Sequence, residues 1–369
     1  MQFIDLKTQQ EKIKAGIDAR IQTVLAHGKY IMGPEIKEFE QVLADFVKVK
    51  HCIACSSGTD ALLMALMVWE IGPGDAVFTS PFTFIATAEV IQLLGATPVF
   101  VDIDQNTFNI SPVKLDEEID RIKKEGRLTP KVIIPVDLFG LPANYPEIDS
   151  ISRKYDLLVL EDGAQGFGGS IKGKMACSFG TMAAASFFPA KPLGCYGDGG
   201  AIFTNKDSLA EKLVSIRVHG KGGHKYDNVR AGINGRLDTL QAAILLEKMT
   251  IFPEETGLRN VVAAQYTERL KNKVITPFIP DGYVSAWAQY SILAESSDHR
   301  TAIQERLKSH NIPTVIYYPR PLHLQTAFIK LGYHRGDFPV SESASERIVS
   351  LPMHPYLSDS DTERITSLI

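Results

Sequence analysis

Short apolar runs alternate with helical or loop stretches between residues 76 and 204 of this 369-residue chain. The runs cover 76–79, 98–101, 132–136, 157–160, 182–188 and 201–204. A repeated order of strand and then helix favours a parallel sheet with helices on its faces. The sequence therefore predicts an α/β fold with a lobe built around a mostly parallel sheet.

The pattern changes after a long predicted helix that ends near residue 249, where Pro253 opens a different style of chain. Predicted helices and strands follow at 254–272, 288–293, 299–310 and 314–318. We therefore expect a large cofactor-binding domain over 1–250 and a small C-terminal domain over 251–369. An amphipathic helix predicted over 9–26 could pack against the small lobe.

Bulk composition excludes several classes of function. The formal net charge of −4 gives no general attraction to nucleic acid or to an anionic membrane. No apolar stretch reaches the ~18 residues that span a bilayer, and the N-terminus lacks a signal-peptide pattern, which together predict a cytoplasmic protein. Four cysteines, without a second Cys or His pair at zinc spacing, predict neither a disulfide scaffold nor a metal site.

Lys191 lies in the run Ser-Phe-Phe-Pro-Ala-Lys-Pro-Leu-Gly, which spans residues 186–194. Prolines, aromatic residues and glycine turn the chain tightly here, so we expect the amine to lie in a partly dry pocket. Burial lowers the pKa of a lysine, and a neutral amine is a nucleophile toward carbonyl groups. A lysine on an ordinary polar turn is the alternative interpretation.

A second string, Ser56-Ser57-Gly58-Thr59-Asp60, directly precedes an apolar helical run. The free backbone N–H groups and the positive dipole end of a helix N-terminus attract an oxyanion, and glycine permits its close approach. This string therefore predicts a phosphate site, although a plain helix cap has the same residues.

A third feature is a carboxylate at the end of a buried strand. The apolar run 157–160 is followed directly by Glu161-Asp162-Gly163-Ala164-Gln165. Ligands of open α/β sheets gather at the carboxyl ends of strands. Asp162 is therefore predicted to face a ligand, with a helix-capping role as the alternative.

These three parts match the needs of pyridoxal 5′-phosphate, which takes an amine for its aldehyde, an anion site for its phosphate and a carboxylate for its ring nitrogen. From Phe3 to Tyr356 the chain resembles the DegT-type sugar-nucleotide aminotransferases, which are fold-type-I pyridoxal-phosphate enzymes. The strings that carry the resemblance are 33–35, 57–62, Glu161-Asp162 with Gln165, 186–194 and 234–238. The resemblance implies a mostly parallel sheet of seven strands in the large lobe and a smaller α/β C-terminal lobe.

The cofactor-binding positions of that family fall here on Lys191, Asp162, Gln165, Gly58, Thr59, Ser186, Asn234 and Phe82. Lys191 and Asp162 are the catalytic pair that the resemblance implies. Asn234 matches a residue that reaches the phosphate from the neighbouring subunit, which implies a homodimer with shared active sites. Phe82 matches a ring that stacks on the pyridine, and a buried core aromatic is the alternative.

The resemblance also implies contacts to substrate. Arg236 could bind the diphosphate or a carboxylate, or form a structural ion pair with Asp238 or another acid. Tyr318 and His323 fall in a stretch that the family uses near the sugar nucleotide, although a lone histidine is more often packing or surface.

Within the family, the strings around Lys191 are most similar to enzymes that aminate the 3-keto form of UDP-N-acetylglucosaminuronic acid, on the route to surface polysaccharides. The implied substrates are a UDP-linked keto sugar and L-glutamate. The sequence leaves three alternative functions open. They are an aminotransferase for 4-keto sugars, a dehydratase of the same fold, and a non-catalytic sensor. The dehydratases replace the lysine, often with histidine, so Lys191 disfavours that alternative.

Overall fold

The computed structural model describes residues 1–224 and 226–369. Its strands are β1 (His51–Cys55), β2 (Asp75–Thr79), β3 (Thr97–Phe100), β4 (Thr129–Ile133), β5 (Leu158–Asp162), β6 (Ser170–Ile171), β7 (Lys174–Met175), β8 (Met182–Ser186), β9 (Gly200–Thr204), β10 (Tyr283–Val284), β11 (Tyr290–Leu293) and β12 (Ile348–Leu351). Its α-helices are α1 (Leu6–Lys12), α2 (Lys14–His27), α3 (Pro34–Val47), α4 (Gly58–Val68), α5 (Ala86–Leu93), α6 (Pro112–Glu125), α7 (Tyr145–Tyr155), α8 (Asp207–Ile216), α9 (Thr239–Met249), α10 (Phe252–Leu270), α11 (Ser297–Ser309), α12 (Pro339–Arg347) and α13 (Asp359–Ser367).

A seven-stranded sheet forms the centre of the fold, in the order β1-β9-β8-β5-β4-β2-β3. The neighbours from β8 to β3 pair in parallel, whereas β9 is antiparallel to both β1 and β8. The predicted α/β class and mostly parallel sheet are therefore confirmed. The antiparallel β9 was not predicted, because an apolar run does not reveal the direction of its strand.

Helices cover both faces of this sheet, as the continuous apolar strands require. Along β8, Ala183 and Ala185 lie in a core shared with α3 and α9, whereas Ala184 lies in the core on the opposite face with α4 and α8. This is the two-residue alternation of a strand that is buried on both sides. In the same way, whether a residue at the end of a neighbouring strand faces one side of the sheet or the other depends on its position in this alternation.

One edge of the sheet collects the segments that the sequence singles out. Cys55 at the end of β1 and Ser186 at the end of β8 both pair with Gly200, the first residue of β9. Asp162 at the end of β5 pairs with Ala184 of β8. The same edge of the sheet thus holds the Asp162 carboxylate, and both the string at 56–60 and the Lys191 loop begin there.

The C-terminal residues form a further hydrophobic core, which includes Val262, Tyr290, Ile303 and Ile365. Strand β11 pairs with β12, while β10 pairs with β6 of the earlier part of the chain. The N-terminal residues contact both parts: α2 packs on α9, and α1 is joined to α10 by a hydrogen bond. The domain boundary near residue 250 stays a prediction.

Within the described residues, no helix is both long enough and apolar enough to cross a membrane.

Candidate active site

Lys191 lies in a closed loop between β8 and β9. The Lys191 N–H donates to the carbonyl of Phe188 at 2.8 Å, and the Cys195 N–H closes the loop on the carbonyl of Phe187 at 2.8 Å. Burial lowers the pKa of the Lys191 amine, while the charge of Asp162 acts in the opposite direction. The amine is therefore held near a carboxylate and is more readily neutral than a surface lysine, as a carbonyl-trapping group must be.

Asp162 is the buried last residue of β5. Its Oδ2 accepts a hydrogen bond from Thr87 Oγ1 at 2.7 Å, and its Oδ1 accepts one from the Ala164 N–H at 3.2 Å. Burial raises the pKa of Asp162, and these two hydrogen bonds and the charge of Lys191 lower it. The donors thus stabilise a charged carboxylate in a place where solvent does not.

Glu161, the other acid of this string, points away from Asp162, as the alternation of a strand requires. Its two carboxyl oxygens accept from the backbone N–H groups of Cys177 at 2.5 Å and Phe179 at 2.7 Å. Burial raises the pKa of Glu161 well above its usual range, and the neighbouring Asp137 carboxyl adds to the rise. Glu161 is therefore a structural acid, and Asp162 is the one that faces Lys191.

The predicted phosphate site is a helix N-terminus beside the end of β8. Ser57 caps α4, since its Oγ accepts from the Asp60 N–H at 3.0 Å. Gly58 begins the helix and leaves no room for a side chain, because a Cβ there would lie 2.6 Å from the Cβ of Ser186. The structure thus brings Gly58, Thr59 and Ser186 to one place, with free helix N–H groups available for an anion.

Gln165 and Tyr318 meet next to this edge. Gln165 Oε1 accepts from the Phe139 N–H at 2.7 Å, and its Nε2 donates to the Tyr318 hydroxyl at 3.1 Å. Burial raises the pKa of Tyr318, so the hydroxyl stays protonated at neutral pH. A residue from the C-terminal part is thereby joined to the string that contains Asp162.

Two phenylalanines flank Tyr318 and differ in exposure. Phe82 is 1% exposed, and its ring packs against Phe108, Phe139 and Tyr318 at centroid distances of 6.2–6.3 Å. Phe84 is 53% exposed and lies 6.5 Å from the Tyr318 ring. The structure thus gives Phe82 the core role named as its alternative, and it leaves the ring of Phe84 free to contact a ligand.

The segment 234–238 runs beside the predicted phosphate site. The Ser56 N–H donates to the carbonyl of Gly235 at 3.1 Å. Asn234 is exposed, and the buried Arg236 Nε has no hydrogen-bond partner among the described residues. This Nε therefore makes no hydrogen bond to Asp238 or to another acid within the same residues.

His323 is enclosed instead of open to a ligand. It is 1% exposed, its Nε2 lies 3.1 Å from Glu342 Oε1, and its ring packs edge-on against Phe338. Burial lowers its pKa, against the effect of Glu342. These contacts fit the packing role given above as the alternative, whereas the buried Nδ1 has no hydrogen-bond partner among the described residues. A substrate contact of His323 stays a prediction.

The sequence analysis missed Thr87 and Phe84. Thr87 lies 75 positions from the carboxylate that it contacts, and no local pattern marks such a partner. Phe84 is only two residues from Phe82, and the choice between them depends on which ring the fold buries. The described residues include no group of three or more side chains that could hold a metal ion.

Comparisons with known proteins show the family of the chain. Residues 11–369 match the model of the DegT/DnrJ/EryC1/StrS aminotransferase family. The chain is 49% identical to the UDP-2-acetamido-2-deoxy-3-oxo-D-glucuronate aminotransferase of Pseudomonas aeruginosa, over 100% of this chain and 99% of that one. It is 52% identical to an aminotransferase of the same family from Brucella abortus, whose crystal structure superposes with a TM-score of 0.97 over 100% and 98% of the two chains.

A third similar protein, NtdA of Bacillus subtilis, has a crystal structure with the bound cofactor PMP. It is 29% identical, with a TM-score of 0.87 over 99% of this chain and 82% of that one. The present chain belongs to the DegT/DnrJ/EryC1/StrS aminotransferase family. It is a sugar aminotransferase that depends on pyridoxal phosphate.

The residues at the sheet edge fit this cofactor. A nucleophilic amine, a buried carboxylate with two fixed donors and a helix N-terminus with free N–H groups lie at one edge. These are the three attachment points that pyridoxal phosphate requires.

We expect the Thr87→Val substitution to move the acidic limb of the pH profile to higher pH. Burial raises the pKa of Asp162 and the Thr87 hydrogen bond lowers it, so the loss of the hydroxyl raises it further. Protonated Asp162 cannot serve as a counter-charge, and activity is therefore lost earlier as pH falls. At neutral pH the rate with amino donor should fall ~10-fold or more, because a hydrogen bond to a charged group contributes ~1.5–3 kcal/mol.

The measurement is the rate of the amino-donor half-reaction between about pH 5 and 9, a range that brackets the usual optimum of stability. Thr87→Ser keeps the hydroxyl and should retain the wild-type profile. An unchanged acidic limb in Thr87→Val would contradict the assigned role of Thr87.

Proposed function

We propose that this protein transfers the amino group of L-glutamate to UDP-2-acetamido-2-deoxy-3-oxo-D-glucuronate, giving a 3-amino sugar nucleotide for surface polysaccharide such as the O-antigen of lipopolysaccharide. The observation that carries the proposal is the 49% identity, over essentially the full length of both chains, to the Pseudomonas aeruginosa enzyme that is named for this substrate. A chain that retains Lys191 beside Asp162 keeps the chemical groups that the reaction needs. The cytoplasmic location stays a prediction.

In the proposed site, Lys191 would hold the cofactor aldehyde and Asp162 would face the ring nitrogen. Gly58, Thr59 and Ser186 would hold the phosphate. When bound, pyridoxal phosphate supplies an electron sink for the negative charge that develops at the α-carbon of the donor. Gln165, whose amide is fixed by the Tyr318 hydroxyl at 3.1 Å, would contact the phenolic oxygen of the cofactor.

Lys191 then has a second role in the proposal. Displaced from the cofactor by the amine of the donor, its Nζ would be free to take the proton from the α-carbon of the donor and to deliver it to the cofactor. A lowered pKa suits this role, because the amine must be neutral to accept a proton. The ring of Phe84, which is exposed next to Tyr318, is our candidate for stacking on the pyridine in place of Phe82.

The sugar nucleotide carries two anionic groups, a diphosphate and a carboxylate. Arg236 can bind either of them in a two-pronged contact, and its Nε has no partner within the described residues. Tyr318 is the second proposed contact. It lies between the cofactor-binding Gln165 and the exposed Phe84.

We expect the 3-keto uronic acid to react fastest in a panel of UDP-linked keto sugars. The panel contains 3-keto and 4-keto sugars, each with and without a carboxylate at C6, and NMR locates the new amine. The Lys191→Ala protein measures the background. If a 4-keto sugar without a carboxylate reacts best, the substrate assignment is wrong and the chain is a 4-keto-sugar aminotransferase.

We also propose a homodimer in which each site contains Asn234 from the partner, as the exposed position of this side chain allows. Lys191→Ala and Asn234→Ala should each be inactive alone. Subunit exchange in an equal mixture makes half of the dimers hybrid, and each hybrid then has one intact site. The mixture should recover about a quarter of wild-type activity.

The two variants mixed without subunit exchange are the control. If Asn234 served the site of its own protomer, each site of a hybrid would carry one lesion, and the mixture would stay inactive. That result would contradict shared sites.

A further inference from the structure

A buried lysine outside the catalytic set lies against the loop that carries Lys191. Lys248 belongs to α9 and is 1% exposed. Its Nζ donates to the carbonyl of Gly194 at 2.6 Å and lies 4.4 Å from the centre of the Tyr196 ring. A buried ammonium is costly unless its donors are used, so these contacts explain how the fold tolerates the charge.

Glu255, the carboxylate whose charge acts on Lys248, has hydrogen-bond partners of its own. Glu255 is already bonded to Gln9 and to the Tyr356 hydroxyl. Burial lowers the pKa of Lys248 to about 8, and the Cys195 thiol and Glu255 act in the opposite direction. The principal partners of the Lys248 amine are therefore a backbone carbonyl and an aromatic face.

The carbonyl that Lys248 contacts is at the closing end of the Lys191 loop. Residue 195 closes that loop by its N–H on the Phe187 carbonyl at 2.8 Å and by its thiol on the same carbonyl at 3.0 Å. Gly194 packs so tightly on the carbonyl of Pro189 that a side chain there would collide with it. The hydrogen bond from Lys248 to Gly194 therefore holds the end of a compact loop. A shift of that end would also shift Lys191.

A second residue of α9 holds the chain just beyond the loop. Gln241 Oε1 accepts from the Tyr196 N–H at 2.8 Å, and its Nε2 donates to the Tyr196 carbonyl at 3.4 Å. Residues 241 and 248 are about two helical turns apart and so share one face of α9. This face fixes the end of the lysine loop at two points.

We propose that Lys248 is a positioning residue for Lys191, which fixes the loop through the Gly194 carbonyl and so sets the place of the reactive amine. The proposal rests on the proposed function in one respect, namely that its effect on catalysis requires Lys191 to carry the cofactor. A charged donor suits the role, since charge-assisted hydrogen bonds are shorter and stronger than neutral ones.

Hydrogen–deuterium exchange of the cofactor-free protein tests the loop directly. In Lys248→Met, which keeps the length and loses the donor, peptides within 187–197 should exchange ~10-fold faster or more, because the N–H groups of Lys191 and Cys195 lose protection. Peptides of β5 and β8 should be unchanged. The exposed Lys212→Met on α8 is the matched control and should behave as wild type.

Unchanged exchange within 187–197 would overturn the proposal. Equal acceleration throughout the sheet would also overturn it, because Lys248 would then support the fold in general. If Lys248→Met does not fold, Lys248→Leu, which also lacks a donor, is put through the same measurement with the same criteria.

A second readout concerns the loaded enzyme. Misplacement of a reacting group by about 1 Å costs up to ~100-fold in rate, so the half-reaction of Lys248→Met with L-glutamate should slow ~10–100-fold while the KM for glutamate changes little. A change confined to KM would overturn the proposal. If the wild-type protein does not react with any amino donor, the proposed function fails, and the exchange experiment still decides whether Lys248 fixes the loop.

Discussion

The charge of Asp162 is buried at the end of a strand, and the rest of the site depends on how that charge is kept. Burial alone would favour the neutral acid. The structure opposes this with a hydroxyl from Thr87, a backbone N–H from Ala164 and the nearby Lys191 amine. The result is a buried carboxyl group whose charged form is stabilised by fixed donors, and the protonated ring nitrogen of pyridoxal phosphate is a cation that it can pair with.

The topology of the sheet makes this arrangement possible. Parallel strands bring their carboxyl ends to one edge, so Asp162 and Ser186 meet there although they are distant in sequence. The antiparallel β9 begins at the same edge, where Gly200 pairs with both Cys55 and Ser186. The loop between β8 and β9 therefore leaves the edge and returns to it, and this brings Lys191 back to the carboxylate.

The sequence was sufficient to predict the features that depend on local strings. A buried apolar run that ends in an acid identifies Asp162, and the turn residues around Lys191 identify a constrained amine. The sequence does not show which of Phe82 and Phe84 is buried and which is exposed, because both are aromatic residues in one short segment. Only the packing of Phe82 against Phe108 and Phe139 shows which ring is enclosed.

Features that depend on long-range contacts could not be predicted. His323 has a sequence context that suggests a ligand, yet its burial beside Glu342 depends on how α12 packs. In the sequence, Lys248 is an ordinary lysine near the end of a helix. Only the tertiary structure brings its amine to the Gly194 carbonyl. The roles of such residues follow from tertiary contacts, for which the sequence pattern carries no signal.

The most direct test of the central claim is the visible spectrum of the purified protein with pyridoxal phosphate, before and after L-glutamate is added. We predict a yellow species that depends on Lys191, that glutamate converts to the amino form of the cofactor, and that Lys191→Ala does not form. A spectrum without a Lys191-dependent band would contradict the account. A band that is indifferent to glutamate and to other amino donors would contradict it equally.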